Sequence, residues 1–235
     1  MICPRCCSVK IVKNGRIHNG KPKFKCKSCG RQFVEDPQNQ PILDSTKRII
    51  DKLLLERVSL AGICRAMDVS EKWLSNYIAT KYANMPRKLQ VKSKKKGKLT
   101  VQLDELWSFV DHKNNKQWVW IAIDVKTREI IGLYIGDRSQ QSAKALWDSL
   151  PRVYRQCAVC YTDFWEAYQG VLPSKRHRAV HKNTGKTNLI ERLNGTLRQR
   201  ISRLVRSSLS FSKSLPNHLG AIWYFVHSYN ACLSI

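Results

Sequence analysis

Val101-Gln102-Leu103-Asp104-Glu105-Leu106-Trp107 sets two adjacent acids inside a run that is otherwise apolar and β-forming. A carboxylate within such a strand is costly unless it is paired or bound to a cation, so the segment predicts a buried strand with a charged site on it. The pattern extends in both directions. Leu99 to Val110, Gln117 to Asp124 and Glu129 to Ile135 are rich in β-branched and aromatic residues. Between them, His112-Lys113-Asn114-Asn115 and Lys126-Thr127-Arg128 read as hairpin turns. A helix is predicted from about Gln140 to Leu150, capped by Ser139, followed by a short strand at Ala158 to Thr162 and another near His177 to Val180. A long helix from about Thr187 to Arg206 carries the stripe Leu189, Ile190, Leu193, Leu197, Ile201 and Leu204. Three hairpin strands, a crossover helix, more strand and a long helix make a mixed α/β domain over residues 99–235.

Composition narrows the class. With 43% hydrophobic and 9% aromatic residues in 235, the chain is globular and not disordered. No apolar run approaches the roughly 18 to 20 residues of a bilayer span, which excludes a membrane protein. The N-terminus lacks the apolar stretch of a secretory signal, and nine cysteines is an odd count for a closed disulfide framework. They read as ligands or core residues in a reducing compartment. Lys and Arg number 42 against 17 Asp and Glu, a net of +25 that implies a polyanionic partner. Residues 99–180 hold nine of the seventeen acids. A basic protein that gathers its carboxylates in this way has a place to hold a cation.

Upstream of the strands, three segments separate. Residues 1–40 contain Cys3-Pro4-Arg5-Cys6 and Cys26-Lys27-Ser28-Cys29, two C-x2-C pairs at zinc-ribbon spacing, which predict one structural Zn2+ on Cys3, Cys6, Cys26 and Cys29. Asp36-Pro37 and Pro41 suit a linker. Residues 41–85 read as three short helices, the last two a helix-turn-helix: Ser59 caps one, Met67-Asp68-Val69 turns, and Ser70 caps the next. Lys72, Ser75 and Asn76, with Glu71, then face base edges and Lys81 a phosphate. An ordinary three-helix packing unit is the alternative. Residues 86–98 form a basic hinge whose Lys94, Lys95 and Lys96 grip phosphate. Cys157 and Cys160 form a third C-x2-C pair without a partner pair and read as core.

Asp104 in the first strand, Asp163 after the strand Ala158 to Thr162 and Glu191 on the long helix are the acids able to converge on a pair of Mg2+ ions, which prefer carboxylate oxygen and polarise phosphate. Strand alternation alone does not separate Asp104 from Glu105, or Asp163 from Glu166. Asp111, Asp124, Asp137 and Asp148 read as turn or surface acids, and His181 as a solvated loop histidine.

The order of ribbon, helix-turn-helix, basic linker and three acids resembles a DDE transposase of the insertion-sequence-one family. The blocks Leu103-Asp104-Glu105-Leu106-Trp107, Tyr161-Thr162-Asp163, Ile190-Glu191-Arg192-Leu193-Asn194, Leu197-Arg198-Gln199 and Ser208-Leu209-Ser210-Phe211-Ser212-Lys213-Ser214 carry the resemblance. It implies a ribonuclease-H-like catalytic fold with a C-terminal helical extension. Asp104, Asp163 and Glu191 become the catalytic acids holding Mg2+ or Mn2+, and Arg198 a phosphate contact. It further implies double-stranded DNA as partner, both transposon ends and target, and a homo-oligomer, at least a dimer on paired ends. The implied location is the cytoplasm of a prokaryote, on its nucleoid. Two rivals remain at this level: a DNA-binding regulator with a catalytically silent C-terminal domain, and a metal-dependent nuclease that cuts without joining.

Overall fold

The computed structural model describes residues 1–35, 37, 41–204 and 211–233. Asp36 of the expected linker, residues 205 and 206 of the expected long helix, and Ser208, Leu209 and Ser210 lie outside them. The chain divides into two compact units, Met1–Lys47 and Arg48–Ile235.

The first unit is a three-stranded antiparallel sheet of β1 (Ile11–Arg16), β2 (Pro22–Cys26) and β3 (Gln32–Val34). Among its described residues only Cys3, Phe24 and Cys26 are buried. Two of three core side chains are therefore thiols, far too little apolar surface to hold a fold unaided.

The second unit begins within α1 (Asp44–Leu53) and continues through α2 (Leu60–Met67) and α3 (Glu71–Ala83). Ser59 and Ser70 cap α2 and α3, accepting from the amides of Gly62 and Trp73 as the sequence predicts. Asp68 makes the turn in a left-handed conformation (φ +49°). The three helices are built into the rest of the second unit. α3 packs along the last helix, α7 (Leu215–Cys232), at Gly220, where a Cβ would collide with that of Tyr82. Tyr224 of α7 also donates its hydroxyl to the carbonyl of Asp51 in α1.

The central sheet is five-stranded and mixed, in the order β6-β5-β4-β7-β8. β4 (Thr100–Val110), β5 (His112–Asp124) and β6 (Ile130–Gly136) form an antiparallel meander. β7 (Val159–Thr162) and β8 (His177–Ala179) add parallel to β4. Between the two parts run α4 (Gln140–Ser149) and α5 (Arg152–Cys157), and after them α6 (Asn188–Arg200). Val101 and Leu103 of β4 meet Leu146, Leu150 and Tyr154 of the crossover segment in one core layer, while α6 lies against β4 and β5. The outcome is a mixed sheet flanked by helices.

Four expectations change. His112 to Asn115 belong to β5, because Asp111 turns the chain alone at φ +67°. α6 stops at Arg200, where Ile201 leaves helical geometry, and a short 3-10 turn, Ser202–Leu204, follows. α5 is an addition to the expected elements; six residues are too few for a period to register. Asp124 is a buried acid, not a surface one. Burial raises its carboxyl, but the Tyr154 hydroxyl and the amides of Thr127 and Lys126 outweigh that and hold it below the ordinary value.

Candidate active site and metal centres

The sheet register brings the first two acids together. Gln102 of β4 pairs with Tyr161 of β7 in parallel, so two residues further along, Asp104 inside β4 and Asp163 just past the end of β7 stand side by side. The third acid is positioned by its helix. Buried Gln102 accepts from the amide of Ile190 at 2.8 Å, pinning the first turn of α6 to β4, and that turn carries Glu191. Asp104, Glu105, Asp163, Glu191, Asn194 and Arg198 line one cleft of about 380 Å³, together with Arg138 and Lys182.

Each acid has a holder. Asp104 accepts from Asn194 Nδ2 at 2.7 Å, Asp163 from the amide of Trp165 at 2.9 Å, and Glu191 from the Thr187 hydroxyl at 2.8 Å. Burial, then the charges of Glu105, Asp163 and Glu191, push the Asp104 carboxyl up to about 7, even though the Glu105 amide opposes this. A carboxyl so raised gives up a proton when a cation arrives. Asn194 Oδ1, on a residue that lines the same cleft, is buried with no hydrogen-bond partner among the described residues.

Glu105 is committed elsewhere. Its Oε1 accepts from Arg138 Nε at 2.9 Å and Nη2 at 2.6 Å, and its Oε2 from the Tyr168 hydroxyl at 3.0 Å. The guanidinium of Arg138 lies 4.5 Å from the ring of Trp118 and 3.8 Å from that of Trp165. Neither Arg138 nor Asn194 is among the site residues that the sequence singles out. Arg138 is 33 residues from its carboxylate with no periodic relation to it. Asn194, three residues after Glu191 on one helical face, carries a usable signal.

The four N-terminal cysteines form a second centre. Their sulfurs all lie within 4.8 Å of one another, with Cys3 to Cys29 and Cys6 to Cys26 each at 3.6 Å. Tetrahedral zinc with Zn–S near 2.3 Å requires sulfurs about 3.8 Å apart, so the cluster is compatible with structural Zn2+. Two equivalent knuckles build it: Cys7 N donates to Cys3 O and Gly30 N to Cys26 O. Each knuckle ends on a left-handed residue, Cys7 at φ +56° and Gly30 at +73°. Cys7 therefore serves as a turn residue, consistent with its omission from the ligands. Burial raises the Cys26 thiol, yet the amides of Cys29 and Ser28 and the nearby thiols bring it down to about 6. Among the described residues, these four alone bring three or more potential ligands within reach of a single ion. Cys160 is fully buried with its thiol pushed up to about 12, as a core residue should be.

The remaining residues singled out in the sequence are basic or polar. Lys72, Ser75 and Asn76 are exposed on one side of α3, opposite buried Leu74 and Ile78. Lys81 is bound internally, its ammonium 2.9 Å from Asp51 Oδ2 and 4.8 Å from the Tyr224 ring. Lys94 and Lys96 join Arg152 in an open groove of about 450 Å³, and Lys95 is exposed. Arg198 reaches the acid cleft, its Nη2 3.5 Å from the carbonyl of Trp107. No helix among the described residues is long and apolar enough to cross a membrane.

Comparison with known proteins bears on the same region. The family model described as IS1 transposase matches residues 98–230. The insertion element iso-IS1n protein InsB of Shigella dysenteriae is 34% identical over 133 residues, 56% of this chain and 96% of that protein. The insertion element IS1 protein InsB of Shigella flexneri is 32% identical over 126 residues, 54% of this chain and 92% of that protein. The insertion element IS1 2 protein InsB of Escherichia coli (strain K12) is 31% identical over 126 residues, 54% and 72% of the two chains.

Proposed function

This chain belongs to the IS1 transposase family, and from that premise we propose that its mixed sheet is a ribonuclease-H-like core that cuts and joins DNA with divalent metal held by Asp104, Asp163 and Glu191. The observation that carries the proposal is the lining of one cleft by those three acids, with the Asp104 carboxyl raised by burial and then by its acidic neighbours. The donor set suits Mg2+ or Mn2+: the three carboxylates offer hard oxygen ligands. When bound, such ions polarise the phosphodiester and make water or a 3′-hydroxyl a better nucleophile.

The chain's own residues do the rest. Asn194 and Thr187 hold Asp104 and Glu191 on the cleft wall, and metal would draw the three acids together, since they do not yet bring three ligand atoms within reach of one ion as the cysteines do. Arg198 and Lys182 offer cations at the cleft for the phosphates flanking the reacting bond. Arg138 keeps Glu105 from competing for metal by occupying both its charge and its lone pairs. The turn joining α2 and α3 acts as a helix-turn-helix, with Lys72, Ser75 and Asn76 reading bases in DNA bound as a duplex. Lys94, Lys95 and Lys96 hold backbone phosphates, Lys94 and Lys96 beside Arg152. Lys81 reaches phosphate only by leaving Asp51. The cysteine cluster holds Zn2+ as a staple, and the protein works as an oligomer on paired ends. Family membership replaces the silent-regulator alternative with a DNA-modifying enzyme.

The nuclease alternative separates on product. Incubated with Mg2+, DNA carrying the ends of its element and a target plasmid, the protein should yield joined molecules as well as cut ones. Asp163→Asn, which keeps the size and removes the charge, should yield neither while still binding the ends. Cutting without joining would favour the nuclease, and an Asp163→Asn protein that joins ends would remove the three-acid site.

A further inference from the structure

Directly after Asp163 comes Phe164, a large apolar side chain left 54% exposed. The aspartate itself puts it there. Its carboxylate accepts from the Trp165 amide, a tight Asx turn that directs Trp165 inward onto Arg138 and leaves Phe164 outside. Beyond the last register pair of β7 and β8, Thr162 with Ala179, the amide of Val180 still donates to the carbonyl of Thr162 at 3.0 Å. The two chains therefore stay side by side, and Phe164 meets exposed His181 with ring centroids 4.5 Å apart and planes tilted by 50°. Both neighbours of this pair, Asp163 before Phe164 and Lys182 after His181, line the acid cleft.

Core packing does not account for a phenyl ring in this position. Nucleobases offer flat π faces whatever their sequence, and exposed aromatic rings beside cationic groups are the usual means of holding them. A base inside a duplex has both faces covered by its neighbours, so only an unstacked or terminal base has a face to offer. We propose that Phe164 and His181 form a stacking platform for such a base, the one adjoining the phosphodiester at the acids, with Lys182 on the neighbouring phosphate. This rests on the reading of the cleft as the DNA-cutting site. It adds a ligand, an unpaired nucleobase, and a role: holding the strand's end in register with the acids.

The test uses the full-length, zinc-loaded chain and duplexes bearing the element's ends, with 5-iodouracil as the base beside the cleaved bond. With Ca2+ in place of Mg2+ and long-wavelength irradiation, the crosslink should map to Phe164 or His181. Phe164→Ala and Phe164→Leu should both lose it and, with Mg2+, cut paired ends about tenfold or more slowly. Phe164→Trp should retain both properties. A mismatch at that base, which frees it in advance, should restore most of the rate to Phe164→Ala. A crosslink elsewhere, Phe164→Leu cutting like the unaltered protein, or an equal defect on mismatched ends would each overturn the platform. The two readings fail separately. An Asp163→Asn protein that still cuts while the crosslink stays on Phe164 removes the acid mechanism and keeps the platform. A fully active Phe164→Leu beside an inactive Asp163→Asn does the reverse.

Discussion

Two regions of this chain gather side chains of the kinds that ligate metals, and they do so in opposite ways. The cysteine cluster is closed: two matching backbone knuckles draw four sulfurs to within 4.8 Å, with no position left for a substrate. The carboxylate cleft is open. Its acids come from a strand interior, a strand end and a helix, each fixed by its own hydrogen bond, and burial, with the charges of Glu105 and the other two acids, raises the Asp104 carboxyl. The cluster sits in a small unit whose core is nearly absent, whereas the cleft lies on a sheet backed by an extensive apolar core. On the proposed function, the difference is that between a metal that would make a fold and a metal that would use one.

The largest effect expected is on the closed site. Cys26→Ser should release the zinc and unfold residues 1–35, since structural zinc contributes about 10 kcal/mol or more of apparent folding energy in comparable small domains. Elemental analysis and limited proteolysis read this out, and the second unit should melt unchanged. The open site should behave in the contrary sense. Asp104 has a native value near 7 against an ordinary 3.8, so the native state holds that proton more tightly than the unfolded chain. The resulting stability is full at low pH and lost as pH rises from about 4 to 7. Asp104→Asn should therefore stabilise the protein at pH 8 without divalent metal by about 2–4 kcal/mol, in a denaturant titration, while ending DNA cleavage.

A buried base gives the comparison its control. His218 lies between the hydroxyls of Ser108 and Ser212, and burial, with the charge of Arg203, lowers it from 6.5 to about 4. Stability from the neutral ring is present above pH 6.5 and falls by about 3 kcal/mol as pH drops through 4. His218→Gln should flatten the acid limb of the stability profile and leave the Asp104 limb intact. The smallest effect belongs to Glu105→Gln. Loss of the charged half of its pair with Arg138 should cost about 1–2 kcal/mol of stability, yet cutting should stay within about tenfold of the unaltered protein. A dead Glu105→Gln would mean that the wrong member of the acid pair has been chosen.

How much of this is legible in the sequence differs between the regions. The grouping of the four cysteines can be read, because both C-x2-C pairs are local and each knuckle is a five-residue turn. The acids can be read as residues, since a carboxylate in an apolar strand is conspicuous by its cost. What holds them cannot: Gln102 meets α6 across 88 residues, and Glu105 meets Arg138 across 33, contacts set by tertiary packing. Lys81 shows a contact of the same long-range kind. Its place on the helix suggests phosphate, but Asp51, 30 residues upstream, takes its charge. Asp124 looks like a turn acid and is one, except that Tyr154 packs over it and buries it.

The most direct test of the account is thermal melting of the zinc-loaded protein at pH 8 with and without Mn2+, alongside Asp104→Asn, Asp163→Asn and Glu191→Gln. If the three carboxylates are one metal site strained by its own charge, the unaltered protein should gain about 2–3 kcal/mol at Mn2+ concentrations roughly a hundredfold above its dissociation constant. Each variant should begin more stable and gain little. Equal gains in all four proteins, or variants less stable than the original without Mn2+, would contradict it.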